Sequence, residues 1–129
     1  MSVFLMSFKT PQPLLEIHFQ AGFQNHSVTV KLEECLILES FSLYSNQELD
    51  LAAVIEVFNG SVLFNPLGGE KPIEHVCKLK KPAVVSLLLE VSGEKRRILI
   101  DKDKGKYVGI SYVKGMIIVE RSFVPFTYD

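Results

Sequence analysis

The sequence predicts an all-β single domain: an antiparallel β-sandwich or a small closed β-barrel, with a C-terminal meander and at most one short helix near 46–52. Three observations carry this. Apolar and polar residues alternate over successive short stretches, as in half-buried strands. Clusters of Gly, Pro, Asn, Asp and Ser separate those stretches at hairpin spacing. Only residues 46–58 also fit a helical face. A chain of 129 residues holds one core and is short for two, so one domain spans 1–129.

The opening "MSVFLMSF" reads as a first strand. It is apolar but has no basic leader, and Ser2 and Ser7 interrupt it. Lys9 and Pro11 then stand where a signal peptide would continue its apolar region. The expected location is therefore cytoplasmic. No apolar run approaches the roughly 18 residues of a membrane helix, so no membrane insertion is expected.

In "LLEIHFQ", Leu15, Ile17 and Phe19 share one face, and Glu16, His18 and Gln20 the other. "HSVTVKL" repeats the pattern with Val28, Val30 and Leu32. "CLILESFSLY" needs one bulge to keep Leu36, Leu38, Phe41 and Leu43 in register. In "SNQELDLAAVIEVFNGSVLF", Ser45 and Glu48 suit a capping box, whereas Asn59–Gly60 between apolar runs signals a hairpin. The chain there is expected to make a short helical turn near 46–52 and then a hairpin, 53–58 with 61–65.

"NPLGGEKP" is a loop rather than a domain boundary. After it come "AVVSLLLEV", a turn at "SGEK", "RRILID", a turn at "KDKGK", "YVGISYV", Lys114–Gly115 and "MIIVERSF". Val84–Leu89 and Met116–Val119 are apolar on both faces, which places those strands centrally or between layers.

Chemistry-bearing patterns are sparse. Asp101, Asp103 and Gly105 imitate a calcium loop, but Lys106 and Tyr112 stand where that loop needs Gly and Glu. His75 and Cys77 share a strand face without further zinc ligands at recognised spacing. Two cysteines, Cys35 and Cys77, do not make a disulfide framework, although a secreted fold of this size could pair them; against a metal, a buried Cys acting as a small hydrophobe is the commoner case. Adjacent Glu33 and Glu34 point to opposite faces and cannot act as a carboxylate pair. No nucleophile elbow or phosphate-binding Gly loop occurs. No enzyme activity, cofactor or metal is expected.

Two surfaces remain as candidates. Phe4, Phe8, Phe123, Phe126 and Tyr128 gather at the two ends of the chain, where an unpaired terminal strand would need a partner. Lys78, Lys80, Lys81, Lys95, Arg96 and Arg97 form a basic cluster with Tyr107 beside it as a stacking face, suited to anions or nucleic acid. Charge is also uneven: residues 1–70 hold two Lys against eight acids, and residues 71–106 hold ten Lys or Arg against five. The expected function is protein–protein interaction or assembly through edge strands and terminal aromatics, by self-association or with a protein partner. The alternatives are nucleic-acid binding through the basic cluster, and a barrel holding a small apolar ligand.

Overall fold

In the computed structural model, which describes residues 12–68, 70–81 and 83–128, the alternating stretches become strands. They are β1 (Leu15–Phe19), β2 (Gln24–Leu32), β3 (Cys35–Tyr44), β4 (Ala53–Val57), β5 (Gly60–Pro66), β6 (Ile73–Cys77), β7 (Val84–Val91), β8 (Glu94–Asp101), β9 (Tyr107–Val113) and β10 (Met116–Ser122). A six-stranded sheet, β10-β9-β1-β4-β5-β6, faces a four-stranded one, β3-β2-β7-β8. Of the two architectures the sequence allows, the chain forms the open sandwich. The strand expected at "MSVFLMSF", with Phe4 and Phe8, lies outside the described residues.

The core lies between the sheets. Leu15, Ile17 and Phe19 of β1 face Val28, Val30 and Leu32 of β2, all fully buried. Phe19, Phe23 and Phe64 are the largest buried side chains. Each removes enough apolar surface from water to contribute about 1.5–3 kcal/mol. Phe41 of β3 meets Phe64 of β5 edge-on, with ring centroids 5.1 Å apart, and joins the layers. The β2–β3 register shifts on both sides of Val30, with Ser40 at φ 47. Leu38, Phe41 and Leu43 stay on the core, but Leu36, expected with them, pairs with outward Lys31 and is exposed, and Ile37 is buried in its place. The turns Ser92–Gly93 and Lys114–Gly115 have both residues at positive φ. That matches the right-handed twist of the flanking strands.

Four expectations change. First, the C-terminal meander divides: β7–β8 and β9–β10 are hairpins, but β8 belongs to the small sheet and β9 to the large one. "DKDKGK" is therefore a crossover between layers, built on a 3₁₀ turn at Lys102–Lys104. Second, the antiparallel pattern has one exception, because β1 pairs with β9 in parallel after the crossover brings the chain back. Third, among the described residues β10 has a neighbouring strand on one side only. Ile117 packs inward on the core, but Met116 and Ile118 face outward and stay exposed. Fourth, residues 46–52 make a closed turn rather than a helix. Asn46 Oδ1 accepts from the N–H groups of Glu48 and Leu49, and Asn46 bridges to Leu51. Ser45 is occupied elsewhere: its hydroxyl accepts from Phe23 N–H and donates to the Gln20 carbonyl.

The two seams of the sandwich close differently. On one side Cys35 of β3 is bonded to Cys77 of β6, with Cα atoms 6.0 Å apart. The pairing that the sequence leaves open is thereby decided, since folding brings together thiols 42 residues apart. On the other side two arginines span the gap. Arg96 of β8 donates to the Ile117 carbonyl of β10. Arg121 of β10 donates to the Asp101 and Gly105 carbonyls, both at 2.6 Å. Replacing Arg121 with Met is expected to cost about 1.5–3 kcal/mol, the scale of hydrogen bonds made by a charged donor, as a lower midpoint in urea unfolding. An unchanged midpoint would mean that the crossover needs no such anchor.

Candidate interaction surfaces

The outer face of the large sheet follows from alternation. With Leu15, Ile17, Ile55, Val57, Val62, Phe64, Val108 and Ile110 turned inward, Glu16, His18, Glu56, Glu74, Gly109 and Glu120 turn outward. Strands β1, β4, β5, β6 and β9 carry no Lys or Arg. Glu16 lies directly opposite Glu56 across the β1–β4 ladder, an arrangement in which like charges repel. Each carboxylate finds a donor: Asn65 Nδ2 bonds Glu56 at 2.9 Å, and His18 Nε2 lies 2.9 Å from Glu16.

His18 is only 8% exposed although it points away from the core. The cover is the segment that follows β10. Ser122 Oγ bonds the N–H and the carbonyl of Val124, and the chain beyond lies over β9 and β1. Phe126 meets the His18 ring edge-on at 5.2 Å and the Tyr107 ring at 6.5 Å. Tyr128 stacks on His18 at 5.7 Å. Its hydroxyl lies 2.8 Å from His18 Nδ1 and accepts from Gln20 Nε2 at 3.0 Å. With the His18 proton on Nε2, the donors run in series: Gln20 to Tyr128, Tyr128 to His18, His18 to Glu16. Burial pushes the Tyr128 hydroxyl above the ordinary phenol range; the Gln20 hydrogen bond lowers it, and the Glu120 and Glu16 charges raise it. The hydroxyl therefore keeps its proton at neutral pH. Gly109 makes room for this arrangement, since a Cβ there would fall 2.5 Å from Gln20 Oε1.

Phe126 and Tyr128 are thus half-buried on their own sheet, while Phe123 is exposed. The sequence pointed to these aromatics and missed Glu16, His18 and Gln20 beneath them. Its only trace of them was an unusual polar face, Glu-x-His-x-Gln, on the first described strand.

The basic cluster does not form one surface. Lys95 and Arg97 point outward from β8, whereas Arg96, one residue between, turns into the seam and bonds the Ile117 carbonyl. Lys78, Lys80 and Arg97 come together around a cleft of about 360 Å³ that also holds Glu33, Glu34, Cys35 and Ser86. Within it Arg97 donates to Ser86 Oγ at 3.1 Å, and Glu33 accepts from Ser86 N–H. Lys81 is an exposed residue of the connection before β7. Tyr107 belongs to the opposite sheet and is buried, with Phe126 over it, so it offers no open stacking face. His75 and Cys77 do not pair toward a metal, because the Cys77 sulfur is bonded to Cys35. Among the described residues no group of three His, Cys, Asp or Glu is placed to hold one, and no helix is long and apolar enough to cross a membrane.

The third surface is the corner of the large sheet at β9–β10. Val113, Met116 and Ile118 are 43%, 56% and 44% exposed. They are neighbours, since Val113 opposes Met116 and Ser111 opposes Ile118 across the ladder. The Ile117 carbonyl points to the open edge, where Arg96 takes it. By the antiparallel pattern, the main-chain groups of Val119 and Arg121 face the same way.

Comparison with protein-family models, with curated proteins and with solved structures finds no match to this chain.

Proposed function

We propose that this chain is a non-catalytic interaction module that assembles through the β10 edge of its large sheet. The observation that supports this most is the contrast between edges. Natural sheets guard an open edge with charge, a bulge or a cover. Edge strand β8 carries outward Lys95 and Arg97, β3 is bulged at Ser40, and five-residue β6 carries Glu74 and is bonded to β3 through Cys77. The outward side of β10 begins with Met116 and Ile118, beside Val113, and bears no charge before Glu120. An apolar corner of this kind on a strand edge is the usual footprint of a protein partner or a second copy.

Charge supports an orientation for that contact. The outer face of the large sheet presents Glu16, Glu56, Glu74 and Glu120. That of the small sheet presents Lys31, Lys95 and Arg97 alongside Glu39 and Glu90. The chain's lengthwise asymmetry becomes a difference between faces, which favours partners of one polarity over the other. The Cys35–Cys77 bond supports an oxidising compartment over the cytoplasmic one suggested by the N-terminal residues, since structural disulfides persist where thiols are not kept reduced.

Ile118→Lys tests the edge. The side chain is outward and exposed, so the substitution is expected to change stability by no more than about 0.5 kcal/mol. Association seen by light scattering in the parent chain is expected to fall several-fold in the variant. Equal association by parent and variant would remove β10 from the interface.

A further inference from the structure

We infer that the Phe126–Tyr128 segment is an exchangeable arm, and that the groove it fills on β1 and β9 takes the same segment from a second copy of this chain. The inference rests on the proposal that the chain assembles, though not on the β10 corner as the contact.

The groove's chemistry is displayed by its occupant. Glu16, His18, Gln20 and Tyr107 receive two aromatic rings and one hydroxyl, and the hydroxyl answers two polar groups that would otherwise compete for water. Among the described residues no strand pairing holds the arm: residues 123–128 lie outside every described strand. It is attached by side chains alone and can leave without breaking the sheet. The same contacts would form with the groove of another copy, which makes exchange of identical elements a low-cost route to dimers.

The hinge argues that the partner is another copy. The chain reverses over Ser122–Pro125, and within that short reversal Phe123 and Val124 are 73% and 65% exposed. In the closed monomer both stand in water. In a two-fold exchanged pair the hinges straighten and pass one another, and these side chains acquire a cover. Pro125, whose ring fixes φ, resists the tight reversal and so favours the straightened form; short hinges under strain invite exchange.

The test uses the Ile118→Lys chain, so that edge association is absent, with and without residues 123–129. Light scattering from micromolar to millimolar protein is expected to show a dimer that grows with concentration and dissociates slowly on dilution. Removing residues 123–129 should abolish it. Three results would overturn the inference: a monomer at every concentration, an equal dimer in the shortened chain, or a dimer that dissolves as fast as it is diluted. Should the shortened chain fail to fold, Pro125→Gly decides, because it keeps arm and groove and only softens the hinge. A several-fold fall in dimer supports exchange, and an unchanged fraction overturns it. Comparing the parent with Ile118→Lys reads the edge separately, so the two failures are distinguishable.

Discussion

Removing the Cys35–Cys77 bond is expected to lower stability by about 4 kcal/mol, the chain-entropy cost of freeing a loop of this length in the unfolded state. The bond joins positions 42 residues apart and links β3 of the small sheet to β6 of the large one. Between these positions lie β4 and β5, so the freed loop contains a hairpin of the opposite layer. The double variant Cys35→Ala/Cys77→Ala is the appropriate comparison, since it leaves no buried thiol or hydroxyl unpaired. Its melting temperature should fall on the order of 10–20 °C for a domain of this size. A reductant should move the parent chain toward the same value and leave the variant unchanged. A parent and variant that melt together, with and without reductant, would show that the seam holds without its bond.

That seam could not be read from the chain. The local patterns could: alternation in "LLEIHFQ" and "HSVTVKL" identified two core strands and their inward residues, because a strand's two faces are written in neighbouring positions. Asn59–Gly60 and Lys114–Gly115 marked hairpins for the same reason. What escaped depends on residues far apart. "DKDKGK" has the composition of a hairpin tip whether the next strand pairs with β8 or crosses to β1, and only the assembled layers decide. His18 looks like any outward polar residue of β1 until Tyr128, 110 positions later, lies against it. Arg96 is a partial exception. Alternation alone places it opposite Lys95 and Arg97, so the pattern of residues already divides the basic cluster, although proximity along the chain obscures the division. The exposure of β10 was hidden differently, since Met116–Val119 is apolar on both faces whether a neighbour covers it or not.

Gly22→Ala is expected to have the largest effect of any single methyl added to the described residues. Gly22 lies in the turn that carries the chain from β1 in the large sheet to β2 in the small one. There it passes against the end of β9: Tyr112 N–H donates to the Ala21 carbonyl at 3.0 Å. A Cβ at position 22 would fall 1.7 Å from the Tyr112 carbonyl oxygen and 2.7 Å from its carbon. Those atoms are main chain, held by the β1–β9 and β9–β10 ladders, and cannot swing aside. The turn is no freer, because Phe23 is buried and stacks on the Tyr112 ring at 6.2 Å. Either β9 shifts and loses its register, or Phe23 leaves the core. Gly60 supplies the control. Its φ is +95 against +94 for Gly22, yet nothing lies within 4 Å of its Cβ position. Gly60→Ala therefore carries only the backbone penalty, about 1–3 kcal/mol. Gly22→Ala adds the collision and should exceed about 4 kcal/mol, a large share of a domain's total stability. Chemical denaturation of the two variants side by side separates the terms, since backbone strain cancels in the difference. Equal midpoints would mean that the β1–β2 turn yields where the geometry says it cannot. A much lower midpoint for Gly22→Ala would establish that the contact between this turn and Tyr112 fixes how the two sheets are joined.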